Sequence, residues 1–508
     1  MKRLAATVLA LVFAGSLLAA DDEHHSHPAP EKLGSVSFPT SCTPAVQAAF
    51  ERGVALLHSF AYSVSEQAFR DVADRDPKCA IAYWGMAMTH YHQLWEVPAG
   101  NELHVGADLV RKAIDLHSGS ARERQFIEAL ATYYRDADQL APAARAERYA
   151  TAMAAVARQN ASDMESQIFY ALALIATAPP TDKTHAKQKQ ALAILEPLYQ
   201  SHPQHPGLAH YVIHASDSTE MASGGLAAAR AYSKIAPSAP HALHMPSHIF
   251  TRLGLWDDSI ASNRAARQAA HAQRDVGEEL HAMDYLTYAY LQRGREAEAR
   301  QIVVELRAMP TITASQFKES YAATAMPVRL AVERHDWAAA AASEPLPKSP
   351  PHVVALALWA RALGRARSEH PQSSDADIED LDGCRRELQS AGNSYWATQV
   401  DVLLKEAQAW RSAGRGDSDA AIQALRAAAD EEDALEKLPV TPGPVVPARE
   451  QLGELYLNLK RPQDALREFR AALSSAPRRH GALVGAIAAS EGMGDRQGAA
   501  QFRGELER

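Results

Sequence analysis

Several things are scarce or missing in this chain of 508 residues, and each absence narrows the reading. Cysteine is rare: only Cys42, Cys79 and Cys384. None of them stands directly after the small-residue cleavage site at Ala20, so no lipoprotein anchor is expected. No charge of one sign dominates. Lys and Arg number 52 against 61 Asp and Glu, a net charge of -9. That balance gives no electrostatic case for nucleic acid or for an anionic membrane surface. Runs of β-branched residues are rare, which argues against strands. Common catalytic signatures are missing as well: there is no HExxH, no Gly-rich phosphate loop, no G-x-S-x-G and no paired CxxC. Disorder is also excluded as a global state, because 47% of residues are hydrophobic and 22% charged, ordinary figures for a globular protein.

The N-terminus reads as an export signal. Lys2-Arg3 form a positive start, residues 4–18 an apolar core, and Ala19-Ala20 a small-residue cleavage site before Asp21. The apolar run is too short and wrongly flanked for a membrane span. The expected organisation is a signal peptide at 1–20, with a periplasmic or secreted mature protein, and a polar tail at 21–43 carrying His24, His25 and His27. Export means an oxidising compartment. Cys42 precedes the first predicted helix and Cys79 follows the second, so a helical hairpin predicts a Cys42–Cys79 disulfide and leaves Cys384 as a buried, inert thiol.

The length exceeds a single core, which leaves several domains or one elongated repeat array. Repeats decide it. Gly453, Tyr456, Ala465, Phe469, Ala472 and Pro477 have the small, large and aromatic spacing of a 34-residue helix pair. Gly53, Phe69 and Pro77 repeat that register near the start. In such a unit a small residue sits where two helices touch, an aromatic ring fills the gap, and a proline ends the second helix. In this register residues 44–344 and 393–508 parse as two arrays of helix pairs. Residues 345–392 between them hold weaker helices and a polar stretch at 367–382, predicted to be a surface loop and the softest domain boundary. A proline-rich break, LPVTPGPVVP, spans 438–447.

The chain resembles tetratricopeptide repeat proteins, and more narrowly exported bacterial members of that group. The stretches that carry the likeness are GVALLHSFAYSVSEQAF, CAIAYWGMAMTHYHQLW, ATAPPTDKT, HPGLAHYVIHA and APSAPHALHMPSHIFTRLGLWDDSIASN. The resemblance covers nearly all of 44–508. It implies an all-α, right-handed superhelical solenoid of antiparallel helix pairs, and it assigns no catalytic residues.

The most concentrated chemistry lies in residues 202–281, which hold nine of the 22 histidines: His202, His205, His210, His214, His241, His244, His248, His271 and His281. His210 with His214, and His244 with His248, stand at i, i+4, so each pair shares one helix face. The first helices of repeat units line a concave groove. That places His58, His90, His210, His214, His244, His248, His281 and Asp284 as groove residues. Two functions follow. One is a scaffold that binds a protein or peptide in the groove. The other is a metal-binding protein or metalloenzyme in which His210, His214, His244 and His248 hold Zn, Cu or Fe, because neutral imidazole suits these ions and an i, i+4 pair can chelate one. Pro246 lies inside the second pair and is expected to break the helix there, swinging His241 and His244 towards the groove. A plain hydrogen-bond network of buried histidines is the competing account. His202 and His205 precede prolines in a connector and are expected in solvent. His90 and His92 point to different faces. Tyr83, Trp84 and Trp256 read as packing residues, and Trp95 follows His90 and His92 on the same predicted helix. Asp217 and Glu220, close after His214, would be either a base or outer partner of the site or solvated acids on a turn.

Overall fold

Several helices begin where side-chain caps are available to the free N–H groups of a first turn. Ser120 and Glu123 form a reciprocal capping box, and Asp163 and Asp275 accept from the N–H groups of Ser166 and Glu278 at 2.9 and 3.0 Å. Elsewhere proline opens the helix, as at Pro206, Pro240, Pro246 and Pro462, where its missing N–H costs nothing. The computed structural model describes residues 31–94, 98, 100–310, 312–368 and 370–507. The leader at 1–20, His24, His25, His27 and Trp95 lie outside the described residues.

The fold is all-α. Twenty-five α-helices and two short 3-10 turns make up the secondary structure of the described residues, and successive helices pack as antiparallel pairs. The chain is a solenoid of such pairs. Its packing rule is visible at the glycines. Phe69 fills the space between Gly53 and Gly85; a Cβ on either would lie 2.7 or 2.5 Å from the ring. Phe469 does the same between Gly453 and Gly485, at 2.9 and 2.2 Å. Side chains are excluded there so that helices can approach and one aromatic ring can bridge two units.

The Cys42–Cys79 disulfide is present and ties the N-terminal segment to the start of Ala80–Thr89. Cys384 is only half-buried, and its surroundings push the thiol up to about 11. The polar stretch at 367–382 departs from the expected loop. Helix Asp375–Ser390 starts inside it, because Ile378 and Leu381 supply an apolar stripe that packs on Pro351–Ala366. No helix among the described residues is long and apolar enough to cross a membrane.

The array closes on itself. Trp256 donates its indole N–H to Arg478 O at 3.0 Å, Thr219 reaches Ser475 O at 3.1 Å, and Gln292 accepts from the His480 N–H at 3.0 Å. The proline-rich segment 438–447 then lies against the leading helices of the histidine units. Prolines leave its carbonyls without ladder partners, and side chains supply the donors. Tyr285 Oη lies 3.2 Å from both Pro439 O and Thr441 O. Arg329 donates to Gly443 O and Pro444 O, and Arg479 donates to Val445 O. The hollow expected to stand open for a partner therefore holds the chain's own segment at this point.

Candidate metal centre

Four helices converge on one buried chamber. Pro206–Ala215 brings His210 and His214, Pro240–His244 brings His241 and His244, Pro246–Arg252 brings His248, and Val276–Gln292 brings His281. All six side chains are buried. Pro246 acts more gently than the sequence suggests. Met245 keeps right-handed helical angles, and a tightened bond from the His248 N–H to Met245 O, 3.1 Å, carries the chain past the proline. His241, His244 and His248 therefore all stay on helical turns and face inwards.

The histidines sort into two triads. His210, His214 and His241 form one, and His244, His248 and His281 the other; within each, one nitrogen per ring lies within 4.8 Å of the others. The four residues picked as a single ligand shell are thus divided, two to each triad. His241 and His281 complete the sets. Asp284 does not join them. It turns to Arg329, 3.0 Å away, and burial raises its carboxyl despite that cation.

Hydrogen bonds fix which ring nitrogen faces the chamber. His210 Nδ1 lies 2.6 Å from His58 O, a pure acceptor, so Nδ1 carries the hydrogen and Nε2 is bare. His248 Nδ1 donates to Asp217 at 2.9 Å, a carboxylate that Lys437 and Arg252 hold well below its usual range. His244 Nδ1 lies 2.6 Å from Asn263 Oδ1. The orientation of that amide is set by its own Nδ2, which donates to Ser259 O at 2.8 Å. His241 Nδ1 lies 3.4 Å from Glu278, which is ion-paired to Lys318. Each of these four rings is tied back through Nδ1, the arrangement that orients imidazole on a metal.

The inward nitrogens then meet each other. His244 Nε2 and His248 Nε2 are 3.0 Å apart, and His210 Nε2 and His241 Nε2 are 3.2 Å apart. With Nδ1 holding the hydrogen, His244 and His248 set lone pair against lone pair. A proton between them is disfavoured: burial drives His210, His214, His244 and His281 well below the ordinary histidine range and His248 to about 4. A metal ion relieves the contact, since two nitrogens bound tetrahedrally at ~2.0–2.1 Å stand about 3.3 Å apart. His214 Nε2 is buried with no hydrogen-bond partner among the described residues. Tyr285 packs on the second triad, its ring 4.7 Å from that of His244 and 5.1 Å from that of His248. A cavity of about 270 Å3, lined in part by His92, Asp217 and Lys437, borders the first triad at His214.

A third cluster is of another kind. Glu165 lies between His58 and His205, at 2.9 and 3.0 Å. The remaining nitrogen of His58 meets Tyr211 Oη at 2.9 Å, and that of His205 accepts the Leu208 N–H. Every ring nitrogen here has a protein partner. This is the satisfied network that buried histidines often form, and it supports the chamber by holding the His58 carbonyl under His210. His205, expected in solvent, is buried because it caps its helix and pairs with Glu165; His202 is exposed. His90 ends helix Ala80–Thr89 and lies 3.8 Å from Glu66, away from both triads. His92 packs on Tyr62. Glu220 is exposed, whereas Asp217 is buried beside His248, so the two acids of the HASDSTE turn have opposite fates.

Comparison with known proteins adds little beyond architecture. No family model and no curated protein matches the chain. Among solved structures it is similar to the hetero-tetramer of APC/C subunits Cut9 and Hcn1, at 11% identity, 87% of this chain, 76% of that chain and a TM-score of 0.38. It is similar to a monomeric mutant of IFIT1 with m7Gppp-AAAA, at 11% identity, 84% and 90% coverage and a TM-score of 0.37. The human IFIT1 dimer with m7Gppp-AAAA gives 10%, 84%, 89% and 0.35. At such scores the solenoid assignment rests on this chain's own helix pairs.

Proposed function

We propose that this protein is a metal-binding helical-repeat protein, with Zn, Cu or Fe held by the buried imidazoles of 210, 214, 241, 244, 248 and 281. One observation carries the reading: His244 Nε2 and His248 Nε2 face each other at 3.0 Å while both Nδ1 atoms are committed elsewhere. A purely structural network has no use for two opposed lone pairs, as the His58–Glu165–His205 cluster illustrates. The Cys42–Cys79 disulfide suits an exported protein, the compartment we assign to it.

The test is elemental analysis of untagged protein purified from its native compartment. It should retain at least one equivalent of a transition metal, and a His244→Ala/His248→Ala variant should lose metal. Metal-free wild-type protein, or a variant with unchanged content, overturns the reading.

Peptide binding in the groove is the second reading. Its support is that this face already grips one proline-rich segment, 438–447, through donors aimed at main-chain carbonyls.

A further inference from the structure

We infer that the two triads are halves of a single dinuclear centre: one ion on His210, His214 and His241, a second on His244, His248 and His281, sharing a small anionic ligand. This rests on the metal-binding reading above and adds the number of ions, their coupling and the class of molecule they take.

Distance is the first argument. Across the boundary between triads, the rings of His214 and His248 are 6.2 Å apart and those of His241 and His244 are 6.1 Å apart. Inside the triads the sides run from 4.7 to 6.5 Å in the first and from 4.3 to 6.3 Å in the second. The boundary is no wider than the longest side of either triad, so two occupied triads are neighbours. The connection is also covalent. His241 and His244 share one short helix and serve different triads, so ordering one triad orders the other.

Coordination is the second argument. Three imidazoles fill three places of a four-coordinate ion and leave one open. The cavity of about 270 Å3 borders the first triad at His214, beside Asp217, and gives an added ligand a way in.

Charge is the third argument. Six neutral imidazoles leave two divalent ions with four positive charges uncompensated. The nearest acids are already engaged: Asp217 with Arg252 and Lys437, Glu278 with Lys318, and Asp284 with Arg329. In a low-dielectric interior that excess demands an anion. A cavity of about 270 Å3 admits a small one, such as hydroxide or azide.

The test is titration of metal-free, full-length protein with Cu(II), read by bound stoichiometry and electron paramagnetic resonance. Two equivalents should bind. The total signal should grow up to the first equivalent and fall towards zero at the second, as a shared ligand couples the spins. Azide should shift the charge-transfer absorption of the two-copper protein. His210→Ala/His214→Ala should bind one equivalent with a full uncoupled signal. One equivalent in the wild type, or two with full additive signals, overturns the pair and leaves the metal reading standing. No copper bound overturns both. The wild-type stoichiometry decides the matter even if the variant fails to fold.

Discussion

The last four helices, Ala448–Asn458 to Arg496–Glu507, and the histidine units share a plan and differ in what surrounds them. In the last four, each helix buries one stripe. Pro462–Ser475 hides Ala465, Leu466, Phe469 and Ala472 and leaves most of its charged face in water. Pro206–Ala215 is buried at all ten positions, and Val276–Gln292 from Glu278 to Gln292 without a gap. Neighbouring units cover one side of these helices; the other is met by the 438–447 segment at Val276–Gln292 and by Gln47–His58 at Pro206–Ala215. A helix enclosed on every side must satisfy its polar groups internally. The histidine units satisfy the Nδ1 atoms of His210, His241, His244 and His248 that way and leave Nε2 atoms facing each other. The lesson is that a solenoid becomes a candidate metalloprotein where its groove is roofed by its own chain.

Removing metal should split the two regions most sharply. An ion that binds only the folded chain stabilises it by about 4 kcal/mol when free ion exceeds its dissociation constant a thousandfold. Chelation should therefore lower the unfolding midpoint. Amide exchange should accelerate in Pro206–Ala215 and Val276–Gln292 and stay unchanged in the last four helices. Equal acceleration in both regions would erase the distinction.

The converse perturbation is Gly485→Ala. Its Cβ would stand 2.2 Å from the Phe469 ring, which is itself held by Gly453. Overpacking of this kind costs about 1–3 kcal/mol. Urea unfolding should report that loss while the metal content stays the same. A variant as stable as the parent would show that Phe469 can yield.

Much of this was legible in the residues. The Gly and Phe register recurs at 53, 69, 453 and 469, because close helix approach requires it and only small residues permit it. The i, i+4 histidine pairs announced a shared face. The division into two triads was not legible. It depends on where Pro206–Ala215 and Val276–Gln292 meet Pro240–Arg252 in space, and no spacing encodes that. Two supporting acceptors were equally hidden, since a backbone carbonyl at His58 and an amide at Asn263 carry no motif, whereas Asp217 showed itself by its place after His214 but only as one of two alternatives. Nor did the prolines of 438–447 reveal that the segment would occupy the hollow, since proline-rich breaks more often lie in solvent. His205 misled for the same reason.

The last contrast concerns protons. The helix preceding the proline-rich segment, Ser418–Asp433, carries Glu432, whose carboxyl burial pushes up to about 7. It accepts the Ala448 N–H at 2.9 Å and faces Glu406, Asp433, Arg449 and Arg479. The folded value lies above the ordinary 4.5, so between those two values the folded chain keeps a proton that the unfolded chain has released. Stability is greatest below the lower value and falls as pH rises through the window, by up to about 1.4 kcal/mol per pH unit for one proton. Glu432→Gln keeps an acceptor for Ala448 and removes the titration. Urea midpoints at pH 5, 6 and 7 should therefore fall less steeply in the variant than in the parent. An unchanged slope would mean that Glu406, raised by the same burial and by Glu432 itself, carries the proton instead.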